Sequence, residues 1–173
     1  IPSYIDALFE TVSGFTTTGA SILTDVEAMS PSLLFWRSFT HWVGGMGVLV
    51  FIMAIVPLAG GRSVYLMRAE TPGPTVGKLV PKMRSTAMIL YGIYVFLTVL
   101  EVILLCCGGM PLFDSLLNSF GSVGTGGFSI KADSIAYYDS AYIDIVITVF
   151  MVLCGINFNL FYLIITGHFL QAL

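Results

Sequence analysis

Two stretches rich in threonine and glycine organise this chain: Phe15-Thr16-Thr17-Thr18-Gly19-Ala20-Ser21 and Ser122-Val123-Gly124-Thr125-Gly126-Gly127-Phe128-Ser129. The second lies 108 residues after the first, and six of the 17 positions from 6 to 22 are identical at that offset. Each stretch follows a short apolar segment and precedes a long one. The chain therefore repeats a unit of short helix, loop and long helix, and membrane proteins often build central sites from such repeats. We call residues 16–22 the first loop and residues 124–130 the second loop.

The composition indicates a membrane protein. Of the 173 residues, 57% are hydrophobic and 10% are charged, and the mean hydropathy is +0.94. A soluble domain carries about 25% charged residues, so this chain cannot form a free-standing soluble enzyme. The net charge of −3 does not provide the basic surface that nucleic-acid binding requires. The three cysteines lie in apolar runs, which indicates packing and not a disulfide framework.

Three apolar segments are long enough to cross a bilayer: residues 35–58, 85–107 and 142–167. A span needs about 20 residues at a rise of about 1.5 Å each. The two short segments, residues 2–14 and 111–122, cover about half of a membrane, and apolar runs of this length form either re-entrant segments or surface helices.

The basic residues predict the orientation. Five of the seven lie between the first two spans, in residues 59–84: Arg62, Arg68, Lys78, Lys82 and Arg84. The positive-inside rule places this segment in the cytoplasm. Both short helices and their loops then lie on the outer side of the membrane.

We therefore expect an all-α polytopic membrane protein built from units of span, re-entrant pore helix, filter loop and span, as in K⁺ channels. Residues 1–58 form the first repeat without its first span, residues 59–84 form the cytoplasmic loop, and residues 85–173 form the second repeat. Because that first span is missing and the chain begins at Ile1, we expect a part of a longer polypeptide, with further repeats outside it.

The two loops have the chemistry of a cation filter. A dehydrated cation needs oxygen ligands in place of its water, and backbone carbonyls supply them. Glycine permits the backbone angles that aim carbonyls inward, and irregular backbone at membrane depth is tolerated where it lines a cavity. We expect the loops to lie beside or opposite each other, with the negative end of each short helix aimed at the ion. The predicted ion-binding residues are Thr16, Thr17, Thr18, Gly19, Gly124, Thr125, Gly126 and Gly127.

Three further motifs accompany the loops in order: Arg37-Ser38-Phe39-Thr40-His41-Trp42-Val43-Gly44-Gly45-Met46-Gly47, Arg68-Ala69-Glu70-Thr71-Pro72-Gly73-Pro74 and Cys154-Gly155-Ile156-Asn157-Phe158-Asn159. With this set and spacing, nearly the whole chain resembles the Trk/Ktr/HKT superfamily of potassium transporters, most closely its TrkH-type subunits. The resemblance implies four repeats around a central K⁺ path, each with one filter glycine, and Gly19 and Gly127 occupy that position. It implies that the K⁺ ligands are main-chain carbonyls: those of Thr17, Thr18, Thr125 and Gly126.

The resemblance also implies partners and a location. TrkH-type proteins form homodimers, bind a cytosolic nucleotide-binding regulatory subunit and lie in the prokaryotic inner membrane. Potassium is the transported ion, and no cofactor is expected. In the family the gating loop and a pore-blocking arginine belong to the third and fourth repeats, so no gate residue is assigned to this chain.

Other functions remain open from the residues alone. A Na⁺- or H⁺-coupled symporter would have the same loops, and reversal potentials under opposing gradients would distinguish it. A membrane-embedded enzyme would need Glu101, His41 or Asp144 to converge in one cavity, and no catalytic arrangement stands out, so we expect no enzyme. A structural scaffold would tolerate bulky replacements in both loops.

Two sets of polar residues within the spans have alternative interpretations. Glu101 is either a functional intramembrane carboxylate or a structural partner, for which Arg37 is a candidate. Asn157 and Asn159 either face the ion path or hydrogen-bond between helices, as intramembrane amides often do.

Histidines and glycines near the spans have simpler interpretations. We expect His41 and His168 at the membrane interface, because neither has a second ligand at metal spacing. We expect Gly44, Gly45 and Gly47 to permit close helix packing.

We predict that Gly127→Ser weakens discrimination between K⁺ and Na⁺ in the complete protein. A side chain restricts the backbone angles that aim carbonyls at the ion. Rubidium uptake into liposomes, with Na⁺ as competitor, measures this discrimination. Unchanged selectivity would count heavily against the filter assignment.

Overall fold

The structure is a computed structural model that describes residues 3–59, 83–156 and 161. These ranges contain no strand, in agreement with the predicted all-α class. The elements in chain order are α1 (Tyr4–Phe15), α2 (Pro31–Ala59), α3 (Met83–Cys107), α4 (Leu112–Val123), a 3-10 helix (Ser134–Tyr138) and α5 (Ala141–Gly155).

The two short helices, α1 and α4, form where the sequence predicts them. Each has 12 residues, or about 18 Å at about 1.5 Å per residue. Ser3 caps α1 by accepting the Asp6 N–H at 3.4 Å. Asp114 lies in the first turn of α4, where a negative charge is favourable to the helix dipole. Both helices lead directly into their loops.

Two long helices cover the first two predicted spans. Helix α2 has 29 residues and begins at Pro31, a residue favoured at the first helical position. Helix α3 has 25 residues. Their lengths, about 44 and about 38 Å, exceed the roughly 30 Å of a bilayer's hydrocarbon core. Among the described residues, Ile89–Cys107 is the one stretch long and apolar enough to cross a membrane, with a hydropathy of 2.4.

The third predicted span, residues 142–167, is not one continuous helix. Helix α5 ends at Gly155, and Ile156 is extended, with φ −74° and ψ 146°. The Ile156 N–H reaches back only to the carbonyl of Leu153, at 3.3 Å. Glycine in a helix costs about 1 kcal/mol relative to alanine, so the ladder of hydrogen bonds ends easily here.

Several predictions concern residues outside the described part of the chain. Asn157, Asn159 and His168 lie there, as does most of the loop 59–84.

The main apolar core lies between α2, α3, α4 and α5, which brings the second repeat against the long helix of the first. In an apolar environment this close packing holds helices together mainly through van der Waals contact. The buried members are Met46, Tyr94, Leu97, Leu105, Met110, Val123, Ile143, Val146, Ile147, Phe150 and Cys154.

Hydrogen bonds fix α2 against α3. The indole Nε1 of Trp42 donates to Oγ1 of Thr98 at 3.0 Å, and the Tyr94 hydroxyl donates to the Trp42 carbonyl at 3.0 Å. Polar contacts between helices in apolar surroundings specify their relative position. The long helix of the first repeat is thereby held to the second repeat.

Glycines let α2 approach both loops closely, as the sequence analysis expects for Gly44 and Gly45. A Cβ at Gly44 would overlap the Phe15 carbonyl oxygen and lie 2.9 Å from its carbon. A Cβ at Gly45 would lie 2.9 Å from Cα of Gly124. By contrast, a Cβ at Gly47 would meet no described atom within 4 Å.

We predict that Gly44→Ala destabilises the protein while Gly47→Ala does not. The first substitution forces a methyl group against main-chain atoms that cannot rotate away, at a cost of about 1–3 kcal/mol. The second replaces a helical glycine by the better helix former where no described atom is close, a gain of up to about 1 kcal/mol. Melting temperatures of the complete protein in detergent measure both. Equal melting temperatures for the two variants would contradict the close approach.

Candidate cation site

The first loop begins with a specific helix-ending geometry. The Thr17 N–H donates to the Gly14 carbonyl at 3.1 Å, and the Thr18 N–H donates to the Ser13 carbonyl at 3.0 Å. These two bonds form a Schellman motif, which ends a helix with one residue in the left-handed region. That residue is Thr17, with φ 55°.

The second loop repeats this geometry at the offset of 108 residues. The Thr125 N–H donates to the Ser122 carbonyl at 3.0 Å, and the Gly126 N–H donates to the Gly121 carbonyl at 2.9 Å. Thr125 has φ 56°. Every donor and acceptor corresponds to its counterpart in the first loop, so the internal repeat seen in the sequence is also a structural repeat.

Both loops contain backbone strain at the same positions. A left-handed conformation costs an L-residue with a side chain about 1–2 kcal/mol, and β-branched threonine is among the rarest residues there. Two residues further on, Gly19 has φ 73° and Gly127 has φ 81°, angles that glycine adopts without penalty. Strained backbone of this kind is concentrated at functional sites.

The loops leave the predicted ligand oxygens free. Among the described residues, no hydrogen-bond donor reaches four main-chain carbonyls, those of Thr17, Thr18, Thr125 and Gly126. The carbonyl of Ser129, just beyond them, accepts a hydrogen bond from Arg37 at 2.9 Å. The four predicted carbonyls therefore differ from that of Ser129 in accepting no hydrogen bond from a described residue.

The two loops lie beside each other, as expected. A Cβ at Gly19 would overlap the carbonyl oxygen of Gly126. The predicted filter glycine of one repeat is thus in contact with a predicted ligand carbonyl of the next. Because Gly19 has no side chain, the two backbones can approach this closely.

The threonine side chains of the first loop have structural partners. The Thr16 hydroxyl donates to the Val12 carbonyl at 2.7 Å and lies 2.8 Å from the Thr18 hydroxyl. The Thr17 methyl group faces Gly44 of α2, 3.1 Å from where a Cβ there would be. The hydroxyl groups of Thr16 and Thr18 are thus engaged in hydrogen bonds within the first repeat.

The glycines of the second loop have two different environments. Gly124 is buried against α2, where a Cβ would lie 2.6 Å from the His41 carbonyl oxygen. A Cβ at Gly126 would overlap the His41 ring. Gly127 is exposed, and a Cβ there would meet no described atom within 4 Å.

His41 does not lie at the interface, and that expectation is wrong. Its side chain is fully buried, and its ring stacks on Phe128 with 3.9 Å between centroids. Its Nδ1 accepts the Phe128 N–H at 3.4 Å, which assigns the proton to Nε2. The ring occupies this position because Gly126 has no side chain to exclude it.

A buried ion pair that the sequence analysis missed lies behind both loops. The Nε of Arg37 donates to Oε1 of Glu10 at 2.6 Å, and the two side chains are 6% and 7% exposed. The suggested pairing of Arg37 with Glu101 is therefore wrong. A signal was present in the sequence: Glu10 is an acidic residue within a short apolar helix, six positions before Thr16.

Glu101 contacts the second pore helix instead. Its Oε1 accepts the Ser122 hydroxyl at 2.6 Å, and the side chain is fully buried. Asp144 is exposed on α5, and His41 lies under the second loop, so no contact joins the three residues of the enzyme hypothesis. The described ranges also contain no group of three or more His, Cys, Asp or Glu residues suited to a metal ion.

Side chains outside the predicted spans connect the start of α4 to the 3-10 helix. The Tyr138 hydroxyl donates to Oδ2 of Asp114 at 2.8 Å. Burial, reinforced by the charge of Asp114 and this hydrogen bond, raises the pKa of Tyr138. The 3-10 helix is thereby tied to the first turn of α4.

A cleft of about 410 Å³ adjoins the second loop. One side consists of loop backbone and the other of helix α5, whose hydrogen-bond ladder ends beside it. Its lining includes Thr125, Gly126, Gly127, Ile147, Met151 and Gly155.

Pore helices that end in matched carbonyl-bearing loops, between long apolar helices, define a polytopic membrane protein with pore-helix repeats. The family described as TrkH, cation transport protein, matches residues 2–169. The chain belongs to this family.

Two curated relatives and one solved structure agree with this assignment. The Trk system potassium uptake protein TrkH of Salmonella typhimurium is 40% identical over 168 residues, 96% of this chain and 35% of that protein. The Trk system potassium uptake protein TrkG of Escherichia coli K12 is 37% identical over 172 residues, 99% of this chain and 36% of that protein. The crystal structure of the potassium transporter TrkH from Vibrio parahaemolyticus matches with a TM-score of 0.73 and 34% identity, over 92% of this chain and 31% of that one. The chain thus spans about a third of the length of these transporters.

We predict that Thr125→Gly raises the melting temperature of the complete protein. Relief of left-handed strain, about 1–2 kcal/mol, exceeds the entropic cost of glycine, about 0.5–1 kcal/mol. Thr16→Gly is the matched control, because Thr16 has an ordinary φ of −83°, and this variant should lower the melting temperature. A lower melting temperature for Thr125→Gly would contradict the strain at this position.

Proposed function

We propose that the protein containing this chain carries K⁺ across the membrane, through a path lined by main-chain carbonyls of the two loops. The observation that carries this proposal is a set of four carbonyls on adjacent loops that accept no hydrogen bond from any described residue, those of Thr17, Thr18, Thr125 and Gly126. Potassium replaces its water with such oxygens when it enters a narrow filter. The eight residues predicted as ion-binding form this filter.

The helix ends support a cation as the transported ion. The C-terminal end of a helix carries the equivalent of about −0.5 elementary charge, and both α1 and α4 end at the loops. Two such ends beside a row of carbonyl oxygens favour positive charge. Potassium, in particular, is supported by the relatives named as potassium uptake proteins.

The wider organisation is also proposed. The protein lies in a prokaryotic inner membrane, crosses it several times and has residues 59–84 on the cytoplasmic side, which the five basic residues there support. It acts as a homodimer with a cytosolic nucleotide-binding regulatory subunit, as the family resemblance implies. It is a transporter without enzymatic activity or a cofactor.

Reversal potentials test the transport mechanism. In liposomes containing the complete protein, we expect a K⁺ gradient to set the membrane potential and Na⁺ or H⁺ gradients to leave it unchanged. A potential that follows the Na⁺ or H⁺ gradient would identify a coupled symporter instead. Liposomes with correctly folded protein and no K⁺ flux would refute the proposal.

Gly109→Ser is a matched control for the substitution Gly127→Ser. Both glycines have positive φ, 88° and 81°, and an added Cβ at either meets no described atom within 4 Å. Gly109 precedes α4, at the end opposite to the second loop. We expect only Gly127→Ser to lower the K⁺/Na⁺ permeability ratio. If both substitutions lowered the permeability ratio equally, the cause would be backbone strain at a glycine with positive φ, and not an altered filter.

A further inference from the structure

We propose that Arg37 is a positioning residue for both loops and that it thereby sets the discrimination between K⁺ and Na⁺. This inference rests on the proposed function and adds to it a residue that is not itself an ion ligand. Arg37 lies on α2, behind the loops, and its side chain is buried.

Arg37 reaches the first loop through Glu10. The carboxylate of Glu10 accepts the Arg37 Nε at 2.6 Å. The same carboxylate accepts the Ser21 hydroxyl at 2.9 Å and the Ile22 N–H at 3.1 Å. Ser21 and Ile22 lie two and three residues after Gly19, at the C-terminal end of the first loop. The ion pair therefore holds that end of the loop.

Arg37 reaches the second loop directly. Its Nη1 donates to the Ser129 carbonyl at 2.9 Å, and its guanidinium lies 3.5 Å from the centroid of the Phe128 ring. The ring of His41 also stacks on Phe128, with 3.9 Å between centroids. Phe128 therefore contacts two side chains of α2, one turn apart.

The contacts require an arginine. Its planar guanidinium presents several donors in fixed directions, so one side chain can serve a carboxylate and a carbonyl at once. Its flat cation also stacks on an aromatic ring. Lysine keeps the charge but offers a single ammonium on a flexible stem, which cannot maintain contacts with Glu10, Ser129 and the Phe128 ring together.

Displacement of either loop would change the filter. Gly19 of the first loop contacts the Gly126 carbonyl of the second, so a shift in one loop moves a predicted ligand of the other. A functional constellation needs to be held within about 0.5 Å of its working geometry. Selectivity depends on the number and spacing of these carbonyls. Arg37 contacts both Glu10, which holds the first loop, and Ser129, which belongs to the second loop.

The decisive experiment measures reversal potentials of the complete protein in liposomes under opposing K⁺ and Na⁺ gradients. We expect Arg37→Lys to lower the K⁺/Na⁺ permeability ratio about tenfold, the factor that corresponds to one lost charge-assisted hydrogen bond. The permeability ratio does not depend on how much protein folds, so reduced stability alone would not change it. Ser21→Ala, which removes one contact of Glu10 at an exposed residue, should lower the ratio by a smaller factor.

Lys131→Met is the matched control. Lys131 and Glu27 form an exposed ion pair at 3.3 Å between the segments that follow the same two loops. Such exposed pairs contribute little, so the permeability ratio should stay at the wild-type value. An equal fall in Lys131→Met and Arg37→Lys would overturn the role assigned to Arg37.

The outcomes separate this inference from the proposed function. Wild-type protein without K⁺ selectivity would refute the function itself. Selective wild-type protein with unchanged ratios in Arg37→Lys and Ser21→Ala would overturn the positioning role and leave the function intact. If Arg37→Lys does not fold, an unchanged ratio in Ser21→Ala overturns the role, and a lowered ratio supports it.

Discussion

A carboxylate and a guanidinium can lie in an apolar interior only as a hydrogen-bonded pair, because either charge alone is strongly disfavoured there. Glu10 and Arg37 meet this requirement with a 2.6 Å contact. The pair joins a pore helix to α2, and its remaining hydrogen-bonding groups engage Ser21 and Ser129. Arg37 therefore links α2 to the end of the second loop directly and to the end of the first loop through Glu10.

Close backbone approach is the second requirement of this arrangement. Gly44 and Gly45 admit the ends of the two pore helices against α2. Gly124 admits the main chain of His41, and Gly126 leaves room for its ring. The ring stacks on Phe128. Small residues at these positions allow a histidine, an arginine and an aromatic ring to pack behind the second loop. The strain at Thr17 and Thr125 is held in place by this packing.

The sequence pattern predicted much of the architecture. Hydropathy and helix length located both pore helices and the helices α2 and α3, since these depend on composition along the chain. The repeat at 108 residues predicted that the two loops are equivalent, and their φ angles at Thr17 and Thr125 agree within one degree. The helix break at Ile156 was not predicted, because hydropathy continues unchanged through a residue whose backbone leaves the helix.

Local sequence thus established the repeated unit, the membrane class and the residues of the loops, because each follows from periodicity, composition or glycine content within a short window. Partner choice among the buried polar groups depended on the packed structure. Arg37 pairs with Glu10, 27 residues away in sequence, while Glu101 turns to Ser122. From the sequence alone, either Glu10 or Glu101 could neutralise the charge of Arg37. Only the packing of α1, α2 and α4 brings particular atoms within hydrogen-bonding distance.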